Sequence, residues 1–291
     1  MRRLRSVVRT TLAAAGLVPK HVEAPDYLHQ QVQRSWDKEF RNLQWFGLKD
    51  GMSILDLGCG PGHFAERLAD RLPTATITAL DTDERMLGLA RQRVPKRVTI
   101  VQAPAERTAL PAESFDFVLA RLLMQHAPDP LRVMSEARRV LKPDGKLVIT
   151  DVDDELFGIV APRVRGLDRL LARYGKAQAR RGGDRRIARR LIPLLRDAGF
   201  ADTALESVAI HSDEAGIDAC FPQLDALPLR SLLSGGELPL VEYLVLRAAR
   251  RKFAAAKDPF VLVLLFMACG TKRVSTGPVL ARNRGDGSNP Q

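Results

Sequence analysis

Residues 52–62 read Met-Ser-Ile-Leu-Asp-Leu-Gly-Cys-Gly-Pro-Gly, which places Asp56 just ahead of glycines at 58, 60 and 62. A turn built this way brings backbone close to a ligand where Cβ atoms would clash. The helix expected from His63 to Arg71 would begin at that turn with unpaired N–H groups facing it. The spacing is G-x-G-x-G, whereas a pyrophosphate-binding turn needs G-x-G-x-x-G. A carboxylate at Asp56 repels a pyrophosphate but can accept from an ammonium group. Taken alone, the glycines also suit an ordinary strand–helix turn. Two further aspartates, Asp81 and Asp151, directly follow apolar runs.

Other reactive side chains form weaker patterns. Asp151, Asp153 and Asp154 cluster in sequence and can bind a divalent cation or an amine. Solvated loop residues or helix caps are the plainer reading of that cluster. Cys59, Cys220 and Cys269 are too widely spaced for a disulfide framework or a zinc site, so no metal centre is expected. Cys59 within the glycine turn reads as a small buried residue. Residues 163–190 are densely basic, with Asp168 and Asp184 their only acids. Arg181-Gly-Gly-Asp-Arg-Arg186 lacks interleaved aromatics, so a solvated basic helix pair that steers an anionic metabolite is expected over a nucleic-acid surface.

These residues need a scaffold that brings strand ends together. The apolar run ending at Asp56 reads as a strand, and β-branched Thr76-Ile-Thr-Ala-Leu80 as a second. Val98–Val101, Phe115–Ala120 and Gly145–Thr150 continue the series. Helices are expected between them: one capped by Asp83, with Met86, Leu89 and Ala90 inward, and one from Asp129 to Leu141, with Leu131, Met134 and Leu141 inward. Lys142-Pro-Asp-Gly145 reads as a turn. Five strands alternating with helices imply a parallel, doubly wound sheet covered on both faces, with ligands beyond the carboxyl ends of its strands. Arg185–Gly199 reads as one helix, and Thr203–His211 and Phe260–Ala268 as an antiparallel edge pair. Residues 213–258 read as a helical insertion capping the site. An N-terminal helix carrying Tyr27 and Trp36 can fold over it, and residues 274–291 read as a disordered tail.

The chain has 291 residues, 45% of them hydrophobic, enough for a large core and against global disorder. Aromatics at 5% leave few platforms for stacking bases. A formal charge of +11 suits an anionic substrate, a membrane surface or RNA. The longest apolar run, Phe260–Gly270, is too short to span a bilayer. The arginines at positions 2, 3, 5 and 9 resemble a targeting segment only superficially, since Arg9 interrupts the apolar stretch. A cytoplasmic protein is expected.

Across residues 51–153 the motifs together resemble class I S-adenosylmethionine-dependent methyltransferases of the small-molecule type, such as those of quinone biosynthesis and natural-product tailoring. The match runs from Gly51 to Gly62 and through Leu80-Asp81 and Ser114–Arg121. It continues through Gln125-His-Ala-Pro-Asp-Pro130 and Arg139–Ile149. The resemblance implies an α/β fold: a doubly wound, mostly parallel seven-stranded sheet, Rossmann-like, with a helical cap. It implies a methyltransferase domain at 51–273, capped by residues 1–50 and by the 213–258 insertion.

It also implies S-adenosyl-L-methionine as cofactor. Asp56, Gly58, Cys59, Gly60 and Gly62 would hold its methionine part. Asp81, 19 residues after Gly62 (81 − 62), would take both ribose hydroxyls as a bidentate acceptor. Thr82 and Met86 would flank the adenosine, Ala105 and Glu106 would border the adenine, and Arg121 would stand at the rim. The chain departs from the family pattern at Pro104, where members often carry an aspartate for the adenine amino group. The expected reaction is methyl transfer to oxygen, nitrogen or carbon of a small, anionic or aromatic acceptor. His126 is the candidate general base, against a packing or capping role for the same ring. An RNA methyltransferase and a non-catalytic S-adenosylmethionine-binding protein stand as alternatives.

Overall fold

The computed structural model describes residues 24–156, 158–220, 233 and 238–273. The basic N-terminal segment, the tail at 274–291 and part of the 213–258 insertion lie outside them, and so does the side chain of Tyr27. The order is α1 (Ala24–Trp45), β1 (Ser53–Leu57), α2 (His63–Arg71), β2 (Thr76–Asp81), α3 (Glu84–Arg93), β3 (Thr99–Gln102) and β4 (Phe115–Arg121). Then come α4 (Pro130–Val140), β5 (Leu141–Asp151), β6 (Gly158–Ala161), α5 (Leu167–Ala179) and α6 (Leu191–Asp197). β7 (Ala201–His211), α7 (Leu240–Ala254) and β8 (Phe260–Thr271) complete the series.

The sheet runs β3-β2-β1-β4-β5-β8, with its first five strands parallel. β8 enters antiparallel, bonded to β5 on one side and to β7 on the other. It is therefore an interior strand, not an edge. The short β6 also pairs with β8, through Val261–Val263 opposite Gly158–Val160, while β5 pairs through Phe266–Thr271. β6 thus continues the line of β5 after a break and brings the sheet to eight strands among the described residues. Four residues with one apolar pair gave it no readable alternation.

Strand alternation divides the core in two. Ile54, Ile77, Ala79, Phe117, Leu119 and Val148 face one side, against Trp36, Phe40 and Leu43 of α1 and Phe64 and Leu68 of α2. Leu55, Leu57, Leu80, Val118 and Ile149 face the other, against Val133, Met134 and Ala137 of α4 and Leu191, Leu194 and Leu195 of α6. Both faces are apolar because both are covered, the condition for a parallel sheet.

Local chemistry sets the helix ends. Asp83 caps α3 by accepting from the backbone N–H of Arg85 and Met86, and Asp129 caps α4 with Pro130 in its first turn. Three details differ from expectation. Leu87, with Ala90, is the buried residue of α3. Leu131 is exposed, and α4 packs through Val133, Met134, Ala137 and Val140, a set one step further round the helix. The Arg185–Gly199 segment divides into a 3-10 turn, Ile187–Arg190, and α6. The division puts Pro193 in the first turn of α6, where its missing N–H has no intrahelical partner to lose. Lys142–Gly145 bulges out of β5: Phe115 pairs with Leu141 but Phe117 with Lys146. No described helix is long and apolar enough to cross a membrane.

Candidate functional site

The carboxyl ends of β1 and β4 meet beneath α1. A cleft of about 320 Å³ opens there, lined by Asp56, Gly58, Cys59, Gly60, Arg121 and His126 among the residues expected from sequence. α1 contributes Leu28 and Val32, α2 contributes His63 and Phe64, and Gln125 and Arg185 close the far side.

Asp56 is buried in the cleft wall, and its Oδ2 has no hydrogen-bond partner among the described residues. Burial raises its carboxyl to a pKa of about 7. The charge of Asp81 adds to the rise and that of Arg121 opposes it. An unpaired buried acceptor of this kind costs free energy unless a donor reaches it. It is the feature of the cleft that most calls for a cationic ligand group.

The glycine turn is shaped by left-handed backbone. Gly62 (φ 82°) packs on α3, where a Cβ would sit 3.0 Å from the Ala90 Cβ and 3.1 Å from its Cα. At Gly60 (φ 52°) a Cβ would meet nothing within 4 Å, so this glycine faces open space in the cleft. The turn's own N–H groups are occupied: Gly58 and Cys59 donate to the Leu80 carbonyl, Gly62 to the Cys59 carbonyl, and Gly60 to Asp81 Oδ2 at 2.8 Å. The helix N–H groups expected to face the turn are those of α2 itself, beginning at His63, and are separate from these four. The turn gives a ligand room to approach but does not offer its own four donors. The Cys59 thiol is pushed well up by burial and by the charges of Asp56 and Asp81, so it stays protonated.

Asp81 ends β2 and joins the turn to α3. Its Oδ2 accepts from Gly60, and its Oδ1 accepts from the Asp83 N–H at 3.0 Å. Each oxygen keeps a further lone pair. Gly62, Asp81, Thr82, Met86, Ala105 and Glu106 do not line the cleft itself. Gly62 sits in the turn against α3, and the other five follow the carboxyl ends of β2 and β3, where Gln102 donates to the Thr82 carbonyl and Ala103 to the Asp81 carbonyl.

Arg121 turns toward α1. Its Nε and Nη2 grip the buried Glu39, its Nη2 also donates to Ser35 Oγ, and its guanidinium lies 5.6 Å over the Phe64 ring. Glu39 was not singled out from sequence. The available signal was an acid at position 39 on the stripe that carries Val32, Trp36, Phe40 and Leu43. Trp36 is a packing residue, stacked on Phe40 and edge-on to Phe64.

The acidic cluster is internal and in part a cap, since Asp153 Oδ1 accepts from the Glu155 N–H at 3.0 Å at the start of the 3-10 turn Asp154–Leu156. Asp153 is held bidentately by Arg189, and Asp154 by Arg185 through two bonds of 2.7 Å. Asp151 is buried, accepts from the backbone of Gln125 and Val152, and is raised by burial to a pKa of about 7. No set of three potential metal ligands occurs among the described residues. Within the basic stretch, Arg185 and Arg189 are counter-ions to these acids, and the exposed Arg186 pairs with Glu155 and Asp184. Arg185 also donates to Gln125 Oε1 at 2.7 Å, which carries the network to the cleft. Beyond it, a second groove of about 560 Å³ runs between α5 and residues 183–186 and shares Arg185 with the first.

His126 lies at the end of the 3-10 turn Met124–His126, its Nδ1 2.8 Å from the Gln178 side-chain nitrogen. Crowding by protein atoms, then the charges of Arg185 and Arg181, lower its pKa below the ordinary imidazole value. At the other end of the cleft His63 and His29 bring their Nδ1 atoms to 3.2 Å.

Residues 55–149 match the family model described as a methyltransferase domain. The chain is 38% identical to the trans-aconitate 2-methyltransferase of Azoarcus sp., over 35% of this chain and 40% of that protein. It is 32% identical to the malonyl-[acyl-carrier protein] O-methyltransferase of Paenibacillus sp., over 45% of this chain and 51% of that protein. The chain thus spans about half the length of these curated relatives. A solved structure of phosphoethanolamine N-methyltransferase 2 from Haemonchus contortus, in complex with S-adenosyl-L-methionine, superposes with a TM-score of 0.55. That match covers 89% of this chain and 60% of the other at 20% identity, a likeness of fold.

Proposed function

From a chain whose residues 55–149 match the methyltransferase-domain model, we propose an S-adenosyl-L-methionine-dependent methyltransferase acting on a small organic acceptor. The observation that carries the reading is the unpaired, buried Oδ2 of Asp56 in a cleft whose glycine turn leaves room at Gly60. The residues fit that cofactor. Asp56 would accept from its ammonium group, with Gly58, Cys59, Gly60 and Gly62 shaping the bed beneath it. The spare lone pairs of Asp81 suit the two ribose hydroxyls. Thr82, Met86, Ala105 and Glu106 form the adenosine side along β2 and β3. When bound, the cofactor supplies an electrophilic methyl group on a sulfonium.

The chain's own contribution is placement and exclusion of water. Leu28 and Val32 of α1 roof the cleft, and the Arg121–Glu39 pair fastens that roof to the sheet. We assign residues 51–273 as the catalytic domain, with α1 and α7, the described helices of the 1–50 and 213–258 segments, as its covers. The Arg173–Glu242 ion pair, which ties α7 to α5, supports this division. The chemistry of the relatives' acceptors supports a small molecule. The counter-ion role of Arg185, Arg186 and Arg189 speaks against an RNA substrate.

The test is calorimetry with S-adenosyl-L-methionine on the unmodified chain and on Asp81→Ala and Gly60→Val. Binding is expected in the first and loss in both variants. Undiminished affinity in both variants overturns the site, and no heat from the unmodified chain overturns the function.

A further inference from the structure

His126 has its proton placed by its neighbours. The Gln178 amide nitrogen lies 3.1 Å from the Gln125 carbonyl oxygen, which can only accept, so that end of the amide is the NH2. The same nitrogen lies 2.8 Å from His126 Nδ1, which therefore accepts. A neutral imidazole that accepts at Nδ1 carries its proton on Nε2. The lowered pKa of the ring keeps it neutral near pH 7.

The arrangement is built in. At Gly183 a Cβ would stand 2.2 Å from the Gln125 oxygen and 2.5 Å from the Gln178 nitrogen, so this close approach needs glycine. The Asp184 N–H also donates to the Gln125 oxygen, at 3.0 Å. Around the ring stand Arg185, its charge matched by Asp154, and Arg181. The carboxylate of Asp151 is turned to the Gln125 backbone. The ring itself keeps a solvent-facing edge and lines the cleft.

We propose, resting on the methyltransferase reading, that His126 Nε2–H donates a hydrogen bond to the methyl acceptor, and that the acceptor is an oxygen anion rather than an amine. Lone pairs decide the class. A carboxylate or phenolate oxygen accepts from Nε2–H and keeps a pair for attack, and an enolate accepts on oxygen while its carbon attacks. An amine nitrogen has one pair, and the same hydrogen bond consumes it. The acceptor arrives ionised, so His126 takes no proton. The acceptor's electron pair forms the bond to the methyl carbon and the carbon–sulfur pair goes to sulfur. The acceptor anion and the sulfonium both lose their charge. This assigns His126 the reverse of the general-base role expected from sequence.

The experiment uses the full chain with 15N-labelled histidine, alone and saturated with S-adenosylhomocysteine. Benzoate and benzylamine serve as probes of equal shape and opposite acceptor chemistry. The expected result is an Nε2–H tautomer at His126 that responds to benzoate and not to benzylamine. Gln178→Met, which removes the donor to Nδ1 and with it the preference for the Nε2–H form, is expected to let the Nδ1–H tautomer appear and to weaken benzoate several-fold. Its S-adenosylhomocysteine affinity is expected to stay unchanged. An Nδ1–H tautomer in the unmodified chain, silence toward benzoate, or an equal response to benzylamine overturns the proposal. Failure of the methyltransferase reading shows separately, as no binding of S-adenosylhomocysteine.

Discussion

Glu39 and Arg121 stand 82 positions apart, yet Arg121 Nη2 lies 3.0 Å from Glu39 Oε1 and its Nε donates to the same carboxylate. The acid is fully buried, so the pair joins the roof helix to the last residue of β4 with little solvent to soften its loss. Removing one partner of a buried pair leaves a stranded charge and costs about 3–5 kcal/mol. Arg121→Met is expected to lower unfolding free energy by that amount in urea titrations. Glu39→Met combined with Arg121→Met should recover part of it, because no lone charge then remains.

Asp56 ties ligand affinity to pH. Its carboxyl is held near pKa 7, and only the ionised form answers an ammonium group. Affinity for S-adenosylhomocysteine is expected to rise as pH increases toward 7 and to level off above it, with about one proton released per ligand bound below that point. Asp56→Asn should weaken binding and flatten the profile, as calorimetry in buffers of different ionisation enthalpy would show.

Stability without ligand runs the other way. Asp56 and Asp151 both titrate near pH 7 in the folded protein, well above free carboxylates. The folded state therefore holds protons that the unfolded chain gives up, and stability falls as pH rises from about 4 to about 7. Asp151→Asn is expected to reduce that fall in a thermal-melt series.

The glycines of the turn separate binding from folding. Gly62→Ala drives a Cβ against the Ala90 backbone and is expected to lower the melting temperature. Gly60→Ala meets open space and carries only the cost of its left-handed φ, whereas Gly62→Ala carries that cost and the clash, so Gly60→Ala should mainly weaken S-adenosylhomocysteine affinity, with the smaller change in stability. Equal melting temperatures for the two variants would contradict this packing.

Metal chelation should leave ligand binding unchanged. Asp153 and Asp154 spend both oxygens on guanidiniums, which leaves them poorly disposed to a divalent cation. Calorimetry with S-adenosylhomocysteine before and after EDTA treatment checks this, and a loss of affinity would contradict it.

What was legible in the sequence was local. Ile54, Leu55 and Leu57 announce a strand buried on both faces, and Asp83 and Asp129 announce the helix starts. The Asp56–Gly62 turn lies within one stretch of chain, so its residues could be read together. Glu39 with Arg121, and Gln178 with His126, are joined only by tertiary packing, and no periodicity links such distant positions. Leu131 was misread for a related reason. An apolar residue in the first turn of α4 fits the stripe by type, but the helix rotates so that Val133 and Ala137 meet the sheet.

The placement of β8 bears on how the molecule is made. This single strand, Phe260–Thr271, borders β5, β6 and β7, and it follows all three in the order of synthesis. A nascent chain on the ribosome can lay down β1 to β5 as they emerge, but β5 keeps an open edge until more than a hundred further residues have been added. During that interval the bare backbone of β5 is a template for another chain. Translation that stalls just before Phe260 would therefore release a species prone to clump, and chaperone demand should peak at that point of elongation.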